Sequence, residues 1–114
     1  MEMIVHLDPD VFEVVNMGYK NIEGRVNDEK RRRLHVGDKL IFLKRPYEIE
    51  KIEAIVEDMI YYKDFKEMIE NYSMREVYLE QYDKQYYLDL IKRFYSDEEI
   101  AEYGVVAIKF KKIS

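Results

Sequence analysis

Three side chains in one short stretch have the types that hold anions or move protons. They are Lys20, Glu23 and Arg25, within Gly18-Tyr19-Lys20-Asn21-Ile22-Glu23-Gly24-Arg25. Alternation along an extended chain puts Glu23 and Arg25 on one face, where a carboxylate and a guanidinium can pair. Lys20 falls nominally on the other face, and the glycine turn before it leaves its direction open. Two readings fit this spacing. An exposed ion pair on an edge strand would contribute roughly 0–1 kcal/mol and do no chemistry. A charge-balanced pocket mouth would use Lys20 and Arg25 to hold an anion or a carbonyl oxygen. Glu23 would then accept a hydrogen bond from a base or transfer a proton. Gly24, with no side chain, lets a ligand or another backbone come close. Tyr19 is the tyrosine best placed to stack on a base.

A second cluster is cationic. Lys30, Arg31, Arg32, Arg33, Lys39, Lys44 and Arg45 put seven positive residues into a stretch of 16, in a chain whose net charge is −5. Such segregation reads either as a solvated helical stub balanced by Asp28 and Glu29 or as a set of phosphate contacts. Tyrosine supplies most of the aromatic residues, 11 against 5 Phe and no Trp. Tyr61, Tyr62, Tyr72, Tyr78, Tyr82, Tyr86, Tyr87 and Tyr95 could form a stacking platform for bases. Yet Tyr78, Tyr82 and Tyr86 recur every four residues, which better suits packing one helix face onto the rest of the fold, with hydroxyls at the rim. An exposed part of that stripe would suit a protein partner.

The remaining composition excludes several classes. The chain has no Cys, so thiolate catalysis, disulfides and Cys-based zinc sites are out. His6 and His35, far apart, do not make a metal site, and no cofactor is expected. At 114 residues with 47% hydrophobic content, the chain has the size of a single domain, 1–114, with one compact core. No apolar run reaches the roughly 20 residues that cross a bilayer, and the N-terminus lacks the pattern of a signal peptide. The expectation is a cytoplasmic domain. Many Lys, Glu and Ile residues beside few Gln suit a hot-living source.

These side chains need elements to position them. Met3 to Leu7 reads as a strand, and Asp8-Pro9 starts a helix, with Asp8 as cap and Pro9 in the first turn. That helix ends at Gly18. Lys20 to Val26 reads as a strand, followed by a polar stub carrying the basic cluster. Val36-Gly37-Asp38 is a turn into a strand from Leu40 to Leu43, and Tyr47 to Ile60 is a long strand with a bulge or bend. Asp64 caps a helix with Phe65, Met68, Ile69 and Tyr72 on one face. Met74 to Tyr95 has helical spacing throughout. Ser96 and Glu99 form a capping box, and Val105 to Phe110 closes the fold as a strand. The order β-α-β-(α)-β-β-α-α-α-β implies an α+β architecture, with a curled mixed sheet or small barrel.

Gly18-x-Lys20-x-x-Glu23-x-Arg25 matches the GxKxxExR motif of the ASCH family, in the PUA-like superfamily. Val36-Gly37-Asp38-Lys39-Leu40-Ile41-Phe42 resembles that family's second landmark. Asp64 to Ile69, Phe94-Tyr95-Ser96 and Gly104 to Ile108 are similar to its later helices and closing strand, in family order. The resemblance implies a small, partly open β-barrel of mixed strands with surrounding helices and a cleft lined by the motif. It also implies binding of RNA or a nucleotide, with a role in RNA metabolism or processing. In that reading Tyr19, Lys20, Glu23 and Arg25 contact the ligand, and Lys30 to Arg33 with Lys39, Lys44 and Arg45 follow the phosphates. One branch of the family is a nucleoside amidohydrolase acting on acetylated cytidine through a Lys, a Thr three residues later and a helical Glu. Here Lys20 matches the Lys, Glu23 stands at the Thr position, and Glu76 falls near the Glu. Catalysis, if present, would rest on Lys20, Glu23 and Glu76.

Overall fold

The computed structural model describes residues 1–114 as five strands and six helices. In chain order these are β1 (Glu2–Leu7), α1 (Pro9–Asn16), β2 (Ile22–Val26), α2 (Glu29–Arg32), β3 (Lys39–Lys44) and β4 (Lys51–Tyr62). There follow α3 (Phe65–Ile69), α4 (Met74–Val77), α5 (Lys84–Ile91), α6 (Asp97–Tyr103) and β5 (Val105–Lys112). One mixed sheet holds all strands in the order β1-β3-β4-β5-β2. The β1–β3 pair is parallel and the other pairs are antiparallel. β1 and β2 are the two edges and do not pair with each other, so the sheet is a half-barrel with an open seam.

Alternation decides which side chains enter the core. β1 buries Met3, Val5 and Leu7 and exposes the residues between them. Interior strand β5 buries Val105 to Ile108 without a break, because both of its faces are covered. Val106, Ile108 and Phe110 join a core with β1, α1, β3 and β4. Val105 and Ala107 join Ile22, Val26, Phe65, Met68, Val77 and Tyr87 in a second core under the helices. A register shift between Val56 and Asp58 divides β4 and realises the expected bulge. No helix is long and apolar enough to cross a membrane.

Local signals mostly act as anticipated. Gly18 follows α1 with φ 81°, and Ser96 and Glu99 form a reciprocal capping box on α6. The Val36-Gly37-Asp38 turn has Gly37 at φ 94°. Its Asp38 carboxylate fastens the chain by accepting from the N-terminal ammonium at 3.0 Å and from the His35 N–H at 2.8 Å.

Four expectations need correction. Met74 to Tyr95 is two helices rather than one, because Asp83 accepts from the Tyr86 N–H and starts α5 afresh. The break also sends Val77 and Leu79 into different cores. Tyr78, Tyr82 and Tyr86 therefore come from the end of α4, the turn and α5, yet their rings still cluster, with Tyr82 and Tyr86 stacked at 4.1 Å. The long strand begins at Lys51 instead of Tyr47: Glu48 has φ 57° and its N–H closes a turn onto the Lys44 carbonyl. Finally, Asp8 occupies the cap position of α1 without a side-chain cap bond, its carboxylate lying 3.5 Å from Arg45 instead.

Candidate functional site

The seam between β1 and β2 holds a cavity of about 410 Å³. The end of β1 and the start of α1 supply His6, Leu7, Asp8 and Val11, and β2 with its approach supplies Lys20, Glu23, Gly24 and Arg25. Arg45 enters from the end of β3, and helices α4 and α5 with the following turn close the far side. A half-barrel that fails to close leaves such a cleft between its two edges, walled by the helices packed across them.

Glu23 and Arg25 face the inside of the half-barrel, opposite Ile108 and Val106. Lys20 precedes the strand, and its side chain turns to the same side. Its ammonium donates to Glu23 Oε1 at 3.1 Å, to the Val77 carbonyl at 2.8 Å and to the Ile22 carbonyl. Those three acceptors use the three ammonium protons. Glu23 Oε2 accepts from Arg25 Nε at 2.8 Å. The result is a buried chain of alternating charges, with Lys20 3% and Glu23 7% exposed. The exposed-pair reading of Glu23 and Arg25 does not describe this geometry.

Burial shifts each group's ionisation, and the neighbours decide the outcome. For Glu23, burial alone would raise the pKa, but the Lys20 and Arg25 charges overcome it and bring it down to about 2. Burial pulls Lys20 below its ordinary value against the opposing pull of Glu23. Burial also works against the Arg25 charge, yet Glu23 and then the Tyr95 hydroxyl hold its pKa above the ordinary value. Glu23 is thus a fixed anion whose two oxygens are both engaged. Glu23 occupies only Nε of Arg25, so the rest of the guanidinium is turned toward Tyr95 and the cavity.

Sequence reasoning weighed the tyrosines from Tyr61 to Tyr95 as a stacking platform, preferred packing, and did not place any of them at the cavity. Tyr78, Tyr87, Phe94 and Tyr95 all line it. Tyr87 is 5% exposed, and its hydroxyl lies 2.8 Å from where a Cβ on Gly24 would sit. The period-four pattern had singled out Tyr78, Tyr82 and Tyr86. Tyr87, one position off that stripe, faces β2 because α5 starts separately from α4.

The other residues expected at the site lie elsewhere. The Glu76 carboxylate is the capping box of α4, accepting from the Ser73 N–H at 2.9 Å, and it does not line the cavity. Tyr19 lies outside the cavity with the Arg75 guanidinium 3.8 Å above its ring. Of the seven basic residues, only Arg45 lines the cavity. β2 leads away from the cleft into α2, and β3 leads back, so Lys39 and Lys44 stand at opposite ends of β3, about 17 Å apart. Lys44 is held between Glu13 at 3.2 Å and Glu50 at 2.9 Å. Arg31 pairs with Asp28 at 3.4 Å, and Arg32 lies 5.6 Å from the Tyr103 ring centre. Lys30 and Arg33 are exposed. No group of three or more acidic or histidine side chains converges as metal ligands would.

Comparison with known proteins agrees with this architecture. The ASCH domain family model matches residues 5–114. Among solved structures, the crystal structure of the hypothetical protein PH0355 is 34% identical with a TM-score of 0.85, covering 99% of this chain and 100% of that one. The solution structure of protein PF0455 from Pyrococcus furiosus is 29% identical with a TM-score of 0.77, covering 100% and 99%. The crystal structure of ASCH from Zymomonas mobilis has a TM-score of 0.57 at 18% identity, covering 96% of this chain and 66% of that one, a likeness of fold. Among curated proteins, none matches.

Proposed function

This chain belongs to the ASCH domain family, and from that premise we propose that it binds RNA or a nucleotide in the cavity at the open seam. The observation that carries this reading is the state of Arg25. Its guanidinium is held by a buried carboxylate at 2.8 Å and turned into a cavity whose other wall is aromatic. An oriented guanidinium recognises phosphate or carbonyl oxygens, and aromatic rings accept the faces of bases. Lys20 and Glu23, fully engaged with each other, position Arg25, and the ligand-facing role falls to Arg25 itself. Arg45, 50% exposed beside the same cavity, adds a second cation. Lys30 to Arg33 and Lys39 serve only an RNA long enough to run from the cleft along the barrel to α2. A place in RNA metabolism within the cytoplasm follows from the same reading.

Amide hydrolysis of an acylated cytidine-type base ranks behind binding. Both oxygens of Glu23 have cationic partners, its pKa of about 2 makes it a weak base, and Glu76 caps a helix away from the cavity. Docking of a protein on the tyrosine cluster ranks third, since those rings mainly contact one another.

The test is a melting-temperature screen over nucleosides, nucleotides and short single-stranded RNAs, repeated on Arg25→Ala. A ligand that binds only the folded state raises the melting temperature by mass action. The expected result is a rise for the wild type that Arg25→Ala abolishes. Silence across the whole set would sink the proposal, and turnover of acetylcytidine that vanishes in Lys20→Ala would reverse the ranking.

A further inference from the structure

Within the cavity, β2 presents a free edge. The Asn27 N–H bonds the Gly104 carbonyl, and the Phe110 N–H bonds the Asn21 carbonyl. Those two bonds set the phase of the antiparallel ladder: Asn21, Glu23, Arg25 and Asn27 turn their backbone groups toward β5. Ile22 and Gly24, between them, turn theirs outward. The Ile22 carbonyl on that edge is taken by the Lys20 ammonium. The Gly24 N–H points the same way two residues on, into the cavity that Gly24 lines. Beside it is the Tyr87 hydroxyl, in a residue only 5% exposed that lines the same cavity. Arg25 completes the group.

We infer that the Gly24 N–H, the Tyr87 hydroxyl and the Arg25 guanidinium form a subsite for a phosphate group, so that the cavity prefers a phosphorylated nucleotide to the bare nucleoside. The inference rests on the nucleotide reading above and adds which part of the nucleotide is held. All three protein groups are donors, so together they fit a multiply accepting oxyanion; a base edge presents donors as well as acceptors. The surrounding charge agrees, with Lys20, Arg25 and Arg45 lining the cavity against Glu23 and Asp8. Burial, followed by the Glu23 charge, holds the Tyr87 phenol far above its ordinary pKa, so its proton stays available to donate. Gly24 is what lets the hydroxyl in: a Cβ there would meet the Tyr87 oxygen at 2.8 Å and the Met68 methyl at 2.9 Å.

The experiment is an amide and arginine Nε NMR titration of the full chain. The probes are inorganic phosphate, acetate as carboxylate control, 5′-nucleoside monophosphates and the matching nucleosides. Phosphate should move the Gly24 amide and the Arg25 Nε signals more than acetate does, and monophosphates should bind at least roughly tenfold tighter than nucleosides. Tyr87→Phe keeps the ring and its packing but loses the donor. It should cut the monophosphate advantage over the nucleoside by roughly tenfold, the scale of one hydrogen bond to a charged group. Unmoved Gly24 and Arg25 signals, equal shifts with acetate, or Tyr87→Phe binding monophosphate as the wild type does would each overturn the subsite. If nucleosides or RNA still bind in those cases, the broader function stands without it. If phosphate moves these signals but no nucleoside, nucleotide or RNA binds better than phosphate, the nucleotide reading falls and the anion subsite remains.

Discussion

Lys20, Glu23 and Arg25 are joined by short contacts within the seam, whereas Lys30 to Arg33, five residues further along, stand on and just past the single turn of α2. Both groups are dense in charge, yet only the first is a buried chain of charges paired with one another. Taking Lys20 and Glu23 out of water is costly, so the three Lys20 protons and both Glu23 oxygens meet partners, and only Arg25 keeps donors for the cavity. On α2, Arg31 is tied to Asp28, but Lys30, Arg32 and Arg33 are exposed, so water screens their charges and proximity in sequence yields little orientation. Burial converts a run of charged residues into a directed site. A surface run supplies only a general attraction to anions.

Four measurements can break or sharpen that contrast. The largest effect belongs to Glu23→Ala, which leaves Lys20 buried without its anion. Loss of about 3–5 kcal/mol is expected, read as a melting temperature lower by on the order of 10–20 °C. A drop of only a few degrees would mean that the buried group behaves like a surface pair.

Next comes acid. Because the folded Glu23 pKa is about 2 against 4.5 for the unconstrained group, its stabilisation is fully present above pH about 4.5 and is lost as pH falls toward 2. The expected loss is about 3 kcal/mol across that window. Urea unfolding at several pH values would measure it, and Glu23→Gln should flatten this part of the profile.

Gly24→Ala puts a methyl against the Tyr87 oxygen and the Met68 methyl, so destabilisation of roughly 1–3 kcal/mol is expected in denaturant midpoints, together with loss of ligand response. Smallest in stability is Arg31→Ala with Arg32→Ala, expected to cost on the order of 1 kcal/mol because Arg31 is largely buried beside Asp28. In the same double variant, mononucleotide affinity should be unchanged, while the salt slope for a longer RNA should fall by about one unit for each phosphate no longer neutralised. Unchanged long-RNA binding would remove α2 from the interface.

Local chemistry made most of the fold legible. Asp8-Pro9, Gly18, the Val36-Gly37-Asp38 turn and the Ser96–Glu99 box act within a few residues of themselves, and they set element boundaries close to where they were read. The α+β class and the partly open barrel agree with the resemblance to ASCH proteins and with the observed half-barrel. The break between α4 and α5 was hidden, because its helical spacing continues through 82 and 86 while the chain itself is interrupted by a new cap at Asp83. Tyr87 was hidden for the same reason. The alignment of Glu76 with a helical catalytic Glu missed that its carboxylate closes its own helix start.

Sequence by itself determined that Glu23 and Arg25 share a strand face, that Gly24 between them carries no side chain, and that no cysteine chemistry is available. These follow from residue type and a two-residue period. Only the tertiary structure decided that Lys20 turns to the same side, that its protons are all taken, and that the Tyr87 hydroxyl packs against Gly24. Lys20 is held by the Val77 carbonyl from 57 positions away, and Tyr87 reaches β2 only because α5 packs across the open seam. Such long-range contacts depend on how the half-barrel stops short of closing, which no local pattern encodes.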